Sequence, residues 1–240
     1  MKSLFLFIVI SIIYNISAPR SSEELLKQMY DRYHNKWFHV LTFSQTTENY
    51  RNDSLIKTST WYETIMYPDK FRIDFGDKKN GDAVIFRNDS AYDFRKGKLT
   101  SSKAYKNDLT FLLGGLYFYS FNDILNKLKA FHYDLNKFHQ DKWKGKEVYV
   151  IGSDKQSEKL NQLWIDKENL VLVRLLKFDE KEKEEALFEN HIRLGEGWSE
   201  RACIFYVDDH LVQKEYYHNC IANGAIDSLV FEPSLFGRVP

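Results

Sequence analysis

The side chains of this 240-residue chain most able to hold a metal or attack a substrate are its seven histidines and two cysteines. His34, His39, His132, His139, His191, His210 and His218 form no His-x-x-x-His pair, and no Cys-x-x-Cys occurs, so the usual spacings of a zinc site are missing. The densest grouping is Asp208, Asp209, His210, His218 and Cys220. It lies on a predicted hairpin turning at Asp209-His210, which carries His218 too far along the strand to share an ion with His210. That register sets Tyr216 opposite Cys203. Cys220 then falls roughly 13 Å away at the rise of a strand, against a Cα limit of about 7 Å for a disulfide. The histidines read as solvated or core-edge groups.

Acyl transfer would call for Gly-x-Ser-x-Gly or an equivalent strained turn, and Ser44 has no such setting. "GDKKNGD" is too short and too charged for a phosphate cradle and reads as a turn. Glu63, Asp74 and Asp166 lie within strands or at their ends, with nothing to pair two of them at glycosidase distance. The run "DEKEKEEA" from Asp179 is a solvated turn. No catalytic residue, metal site or cofactor is therefore expected, and the chain reads as non-enzymatic. Lys plus Arg and Asp plus Glu each number 34, so no net field recruits nucleic acid.

The elements that position these residues begin after an export signal. Lys2 precedes the apolar run Leu4 to Ile13 and the short "YNISA" follows, a signal-peptide pattern over 1–20 with cleavage between Ser17 and Ser22. No Cys stands there for lipid attachment, so an exported, periplasmic protein is expected. Residues 21–240 are read as a single domain, and at 43% hydrophobic the chain can build a sizeable core.

"SSEELLKQMYDRY" predicts an amphipathic helix with Ser22 as N-cap. Short segments rich in β-branched and aromatic residues follow, from "WFHVLTFSQTT" to "KLTSS", divided by turn material such as "RNDS" and "RKGK". From Lys106 the spacing turns helical, with Asn107 or Asp108 as a cap and a break at Gly114-Gly115. Strands resume at "KEVYVIGSD" and end with "SLVFEPS". The expected fold is mainly β: a large antiparallel half-open β-barrel with an N-terminal helix and short central helices as a lid.

Leu41/Phe43, Trp61/Glu63/Ile65, Phe71/Ile73/Phe75 and Val171/Val173/Leu175 share one parity, while Tyr62, Met66, Leu170 and Leu172 make the other parity apolar too. A sheet wetted on one face needs only one apolar set. Either both faces are covered by protein, or one lines a cavity for an apolar ligand.

Further residues resemble a known family, the LolA/LolB-type periplasmic lipoprotein carriers. Phe38-His39 followed by Phe43-Ser44-Gln45-Thr46 is similar to the family's first strand. "MYPDKFRIDF", with Pro68, Phe71 and Arg72, resembles its strand, Pro turn and aromatic strand. "DAVIFRNDSAYDFRKGKL" and "LNQLWIDKENLVLVRLL" look like its hairpins, and "SLVFEPSLFGRV" like its ending.

The resemblance implies a non-enzymatic carrier or binder of lipids or lipoprotein acyl chains in outer-membrane lipoprotein sorting. Its cavity would be lined by Phe43, Trp61, Phe71, Ile73, Leu163 and Val173, with lid groups Phe111, Leu112, Leu113 and Leu116. It implies a monomer whose partners are acyl chains and envelope transport proteins. Each buried CH₂ contributes about 0.8 kcal/mol, so a dry cavity could hold an acyl chain without a hydrogen-bonding motif. In one departure, Tyr67 precedes Pro68 where the family carries an Arg that locks the lid. The segment from Gly195 to Asn223 is also more elaborate than in the short carriers. The competing reading is a cell-envelope structural or interaction module with a solid core, and an unrecognised hydrolase ranks third. In the first strand, Ser44 to Thr47 are expected to carry the chain toward solvent, and Gln45 has no assigned role.

Overall fold

A computed structural model describes residues 17–154, 159–179 and 181–238. The apolar run of the expected signal peptide lies outside the described residues. Helix α1 (Ser22–Tyr33) is capped by Ser21 rather than Ser22: the Ser21 hydroxyl accepts the Glu24 amide at 3.1 Å. The Ser22 hydroxyl instead donates to the Lys137 carbonyl. Leu25, Leu26, Met29 and Tyr33 form the buried stripe that the spacing requires.

Six strands follow: β1 (Val40–Arg51), β2 (Ser54–Met66), β3 (Lys70–Phe75), β4 (Ala83–Arg87), β5 (Ser90–Arg95) and β6 (Lys98–Ala104). Their tight turns at Asn52-Asp53, Asn88-Asp89 and Lys96-Gly97 have positive φ at both residues, the conformation that matches the twist of a two-residue hairpin. Two short helices, α2 (Asp108–Leu112) and α3 (Phe121–Ala130), flank a 3-10 turn at Gly115–Phe118. The cap of α2 is Asn107, which accepts the Thr110 amide at 3.0 Å. Strands resume as β7 (Phe138–Trp143), β8 (Lys146–Ile151), β9 (Gln162–Asp166), β10 (Leu172–Phe178), β11 (Lys183–Glu189), β12 (Ile192–Leu194), β13 (Gly197–Ser199), β14 (Ala202–Val207) and β15 (His210–Ala222).

Thirteen strands make one sheet, ordered β6-β5-β4-β3-β2-β1-β15-β14-β11-β10-β9-β8-β7, while β12 and β13 form a separate hairpin. All pairings are antiparallel, and β1 joins the two halves through β15. The edge strands β6 and β7 do not pair with each other. The fold is therefore mainly β and half-open, a curved sheet whose ladder does not close.

The concave face is filled unequally. Helix α1 is tied to the β7–β10 half, where Arg32 donates to the Glu168 carbonyl and the Tyr33 hydroxyl to the Asn169 carbonyl. The end of α3 joins it through Asn161, which donates to the Phe131 carbonyl. Tyr149, Ile151, Leu163 and Ile165 share one buried core with Leu25, Met29, Ile124 and Leu128.

Three expectations need correction. The segment "SLVFEPS" is two 3-10 turns, Ser228–Phe231 and Pro233–Leu235, rather than a strand. Arg72 and Arg87 take the Val230 and Phe231 carbonyls that a ladder would need, and Pro233 has no N–H to donate. Phe231 plugs a cluster with Ile85 and Phe94 instead, and Phe236 stacks on Phe94. Strand β7, from "FHQDKW", escapes the sequence reading because polar residues hide its alternation. The late hairpin turns at Asp208-Asp209 rather than Asp209-His210, which shifts the register by two residues; a bulge near Phe205 returns one of them, so Cys203 faces Glu215 rather than Tyr216. Both cysteines are free. Among the described residues, no helix is long and apolar enough to cross a membrane.

Candidate functional site

The other half of the concave face holds a cavity of about 270 Å³ beneath α2. Strand alternation builds its walls. On β1 and β2, Phe43 sits opposite Glu63, and Gln45 lies between Tyr217 of β15 and Trp61 of β2. Phe71 and Ile73 continue the wall on β3, and Phe188, Cys203 and Phe205 close it from β11 and β14. The Phe43 ring stacks on Tyr217 with centroids 4.2 Å apart. Leu109, Thr110 and Leu113 form the roof.

That roof needs its glycines. At Gly114 (φ +151°) a Cβ would fall 2.4 Å from the Trp37 indole nitrogen, and at Gly115 it would fall 2.8 Å from the Pro68 carbonyl. Only bare backbone lets the segment settle onto Trp37 and the Tyr67-Pro68 turn. The Tyr67 hydroxyl then donates to the Leu113 carbonyl at 3.3 Å, and its ring stacks on Phe118. Tyr67, at the position where the resemblance predicts an arginine, thus touches the lid backbone directly. A second tie is the ion pair between Asp108, at the start of α2, and Lys177 of β10.

Phe43, Trp61, Phe71, Ile73 and Leu113 stand on the cavity wall. Leu163 and Val173 do not. Leu163 is packed in the closed core, whereas Val173 belongs to an outer cluster with Trp164, Val148 and Val150. A bulge between Leu172 and Arg174 explains the second displacement. It breaks the strict alternation, so that Leu172 and Leu175 turn inward and Val173 outward. Of the lid residues, Phe111, Leu112 and Leu116 point into the core and anchor the lid rather than roof the cavity.

The polar part of the site was missed. Glu63, Glu200 and Glu215 all face the cavity, each at least nine-tenths buried, and among the described residues no Lys, Arg or His lines it. Burial and the charges of Glu215 and Glu200 raise the Glu63 carboxyl well above the usual range. Burial lifts Glu200 and Glu215 to about 7. Glu215 accepts hydrogen bonds from Tyr217 at 3.0 Å and from Gln213. Gln45, expected to head for solvent, is fully buried; it donates to Thr47 at 2.8 Å and helps hold Glu215. The sequence signal was present in Glu63 itself, a charge on the apolar parity between Trp61 and Ile65. The elaborated tail supplies the rest, because β13 and the residue after it place Trp198, Ser199 and Glu200 at the cavity. The hairpin seats there through Gly197, packed on Phe38 and Trp37. Among the described residues, no three His, Cys, Asp or Glu are placed to hold one metal ion.

No family model matches the chain, and no curated protein matches it. Solved structures do. A DUF1329 family protein from Desulfovibrio piger is similar with a TM-score of 0.62 and 12% identity, over 90% of this chain and 97% of that one. A domain named for outer membrane lipoprotein sorting, from Vibrio parahaemolyticus, gives 0.59 and 12% over the same shares. A LolA superfamily protein from Nitrosomonas europaea gives 0.56 and 10%, over 87% of this chain and 96% of that one. At these identities the likeness is one of fold. A curved, unclosed antiparallel sheet with helices in its concavity, matched over nearly the full length of such structures, means that this chain has the LolA-like fold.

Proposed function

We propose that the protein is a non-enzymatic, exported carrier or binder of lipids or lipoprotein acyl chains. The observation that carries this reading is the cavity beneath α2, walled by Phe43, Trp61, Phe71 and Ile73 and roofed by Leu109 and Leu113. A solid-cored envelope module would have no such space. At about 270 Å³ the cavity lies just under the roughly 300–1,000 Å³ of small-molecule sites, so it suits one chain or part of one. The name of the Vibrio parahaemolyticus neighbour, which refers to lipoprotein sorting, supports the same direction. On this reading residues 1–20 are removed on export, 21–240 act as one periplasmic domain, and the monomer receives its cargo from envelope transport proteins.

Native mass spectrometry of protein purified from its own envelope tests the proposal. A bound species of lipid mass, displaced by a fluorescent single-chain amphiphile, is expected. Protein that carries no lipid and does not bind the fluorescent amphiphile would overturn it.

A further inference from the structure

We propose that the ligand of this cavity is a cationic amphiphile, with a protonated or quaternary amine held by Glu63, Glu200 and Glu215 and an apolar body against the aromatic wall. This rests on the carrier reading and names the class of cargo. The first support is a missing charge. Among the described residues, the cavity holds three carboxyl groups and no basic residue. Buried carboxylates elsewhere do have partners: Asp74 meets Arg72 at 2.8 Å, Asp108 pairs with Lys177, and Asp166 accepts the Asn169 amide at 2.8 Å.

The second support is Glu63. Its side chain is 6% exposed, lines the cavity and has no hydrogen-bond donor or cation against it among the described residues. A buried polar group without a partner is destabilising, and here the open direction is the cavity itself. Gln45 adds a neighbouring buried oxygen, Oε1, with no partner.

The third support is the wall. Phe43, Trp61, Phe71, Trp198 and Tyr217 present aromatic rings around the carboxyl groups, and ring faces attract ammonium groups once these are desolvated. A metal ion would fit less well, because the three carboxyls are not placed to share one. A fatty acid would bring a fourth carboxylate into the group. A neutral lipid would leave Glu63 as it is.

The test uses decylamine, decanol and decanoate, which differ only in the head group, titrated into the purified protein below their micellar concentrations. Fluorescence of Trp61 and Trp198, both on the wall, reports binding. Decylamine is expected to bind at least about tenfold more tightly than decanol, as a desolvated charge pair requires, with decanoate weakest. In Glu63→Gln, and again in Glu200→Gln, the ratio of amine to alcohol affinity should fall toward one. Equal binding of all three in the native protein would overturn the amine proposal and leave the carrier reading standing. A ratio unchanged by both substitutions would also overturn it, since the carboxyls would then be recognising nothing. Failure of all three probes to bind would remove the carrier reading as well.

Discussion

Replacing Glu200 by Gln removes one buried carboxyl and keeps its shape. Burial and the nearby Glu215 raise the native Glu200 from 4.5 to about 7, whereas in the unfolded chain it returns to its ordinary value. Between those two values the folded protein keeps a proton that the unfolded chain has lost. Native stability therefore declines as pH rises through this window, and the full loss is present above it. The interval corresponds to about 3 kcal/mol, at about 1.4 kcal/mol per pKa unit. About 2–3 kcal/mol of it is lost between about pH 5 and about pH 8. Glu200 also raises Glu63, so the substitution relieves a second group in the same direction. Urea unfolding of both proteins at the two pH values measures it. The wild type should lose about 2–3 kcal/mol more than Glu200→Gln on going to the higher pH. Equal losses in the two proteins would refute the reasoning and mean that Glu200 is solvated in the folded state.

Tyr67→Phe deletes only the hydroxyl that reaches the Leu113 carbonyl. It should cost about 1 kcal/mol and speed hydrogen exchange at the lid amides of Leu113 and Tyr117, with the β1–β2 ladder unaffected. Gly114→Ala places a methyl group against Trp37 in a backbone conformation that L side chains rarely adopt. A loss of at least about 1–3 kcal/mol is expected in thermal unfolding, together with a change in Trp37 fluorescence. Phe43→Ala removes the ring stacked on Tyr217 and should cost about 3 kcal/mol in urea. Thiol labelling without reductant should find two free cysteines in the unfolded chain; in the native protein Cys203, 1% exposed with its thiol pushed up by burial, should react far more slowly than Cys220.

The curved sheet was legible in the sequence because most of its strands alternate cleanly between turn residues that tolerate positive φ. The inward parity of Phe43, Trp61, Phe71 and Ile73 followed from that alternation. It failed where the backbone departs from period two. The bulge before Arg174 reversed Val173, and the late hairpin turns one residue early, a two-residue change of register that the bulge near Phe205 only half undoes. Leu163 was assigned the correct face but the wrong half, because nothing local says where α1 will lie along a sheet. The acidic group was hidden for a similar reason. Glu63 and Glu215 are neighbours only because β1 separates β2 from β15, and Glu200 arrives from an insertion between β11 and β14. That nearness is a property of strand order, which single-residue patterns do not contain.

The unpaired edges also decide how the protein can deform. In a closed barrel the strand number and stagger fix the diameter, and widening it means breaking backbone hydrogen bonds. Here β6 and β7 never meet, so the sheet is a hoop cut at one place, with adjustable girth. Its edge β6 is exposed along its length and carries Lys98 and Lys103, charges that discourage another chain from adding a strand. Swelling to admit a thicker guest would strain the packing and the few polar ties between helices and sheet, such as Tyr67 to Leu113 and Asp108 to Lys177, leaving the rungs of the ladder intact.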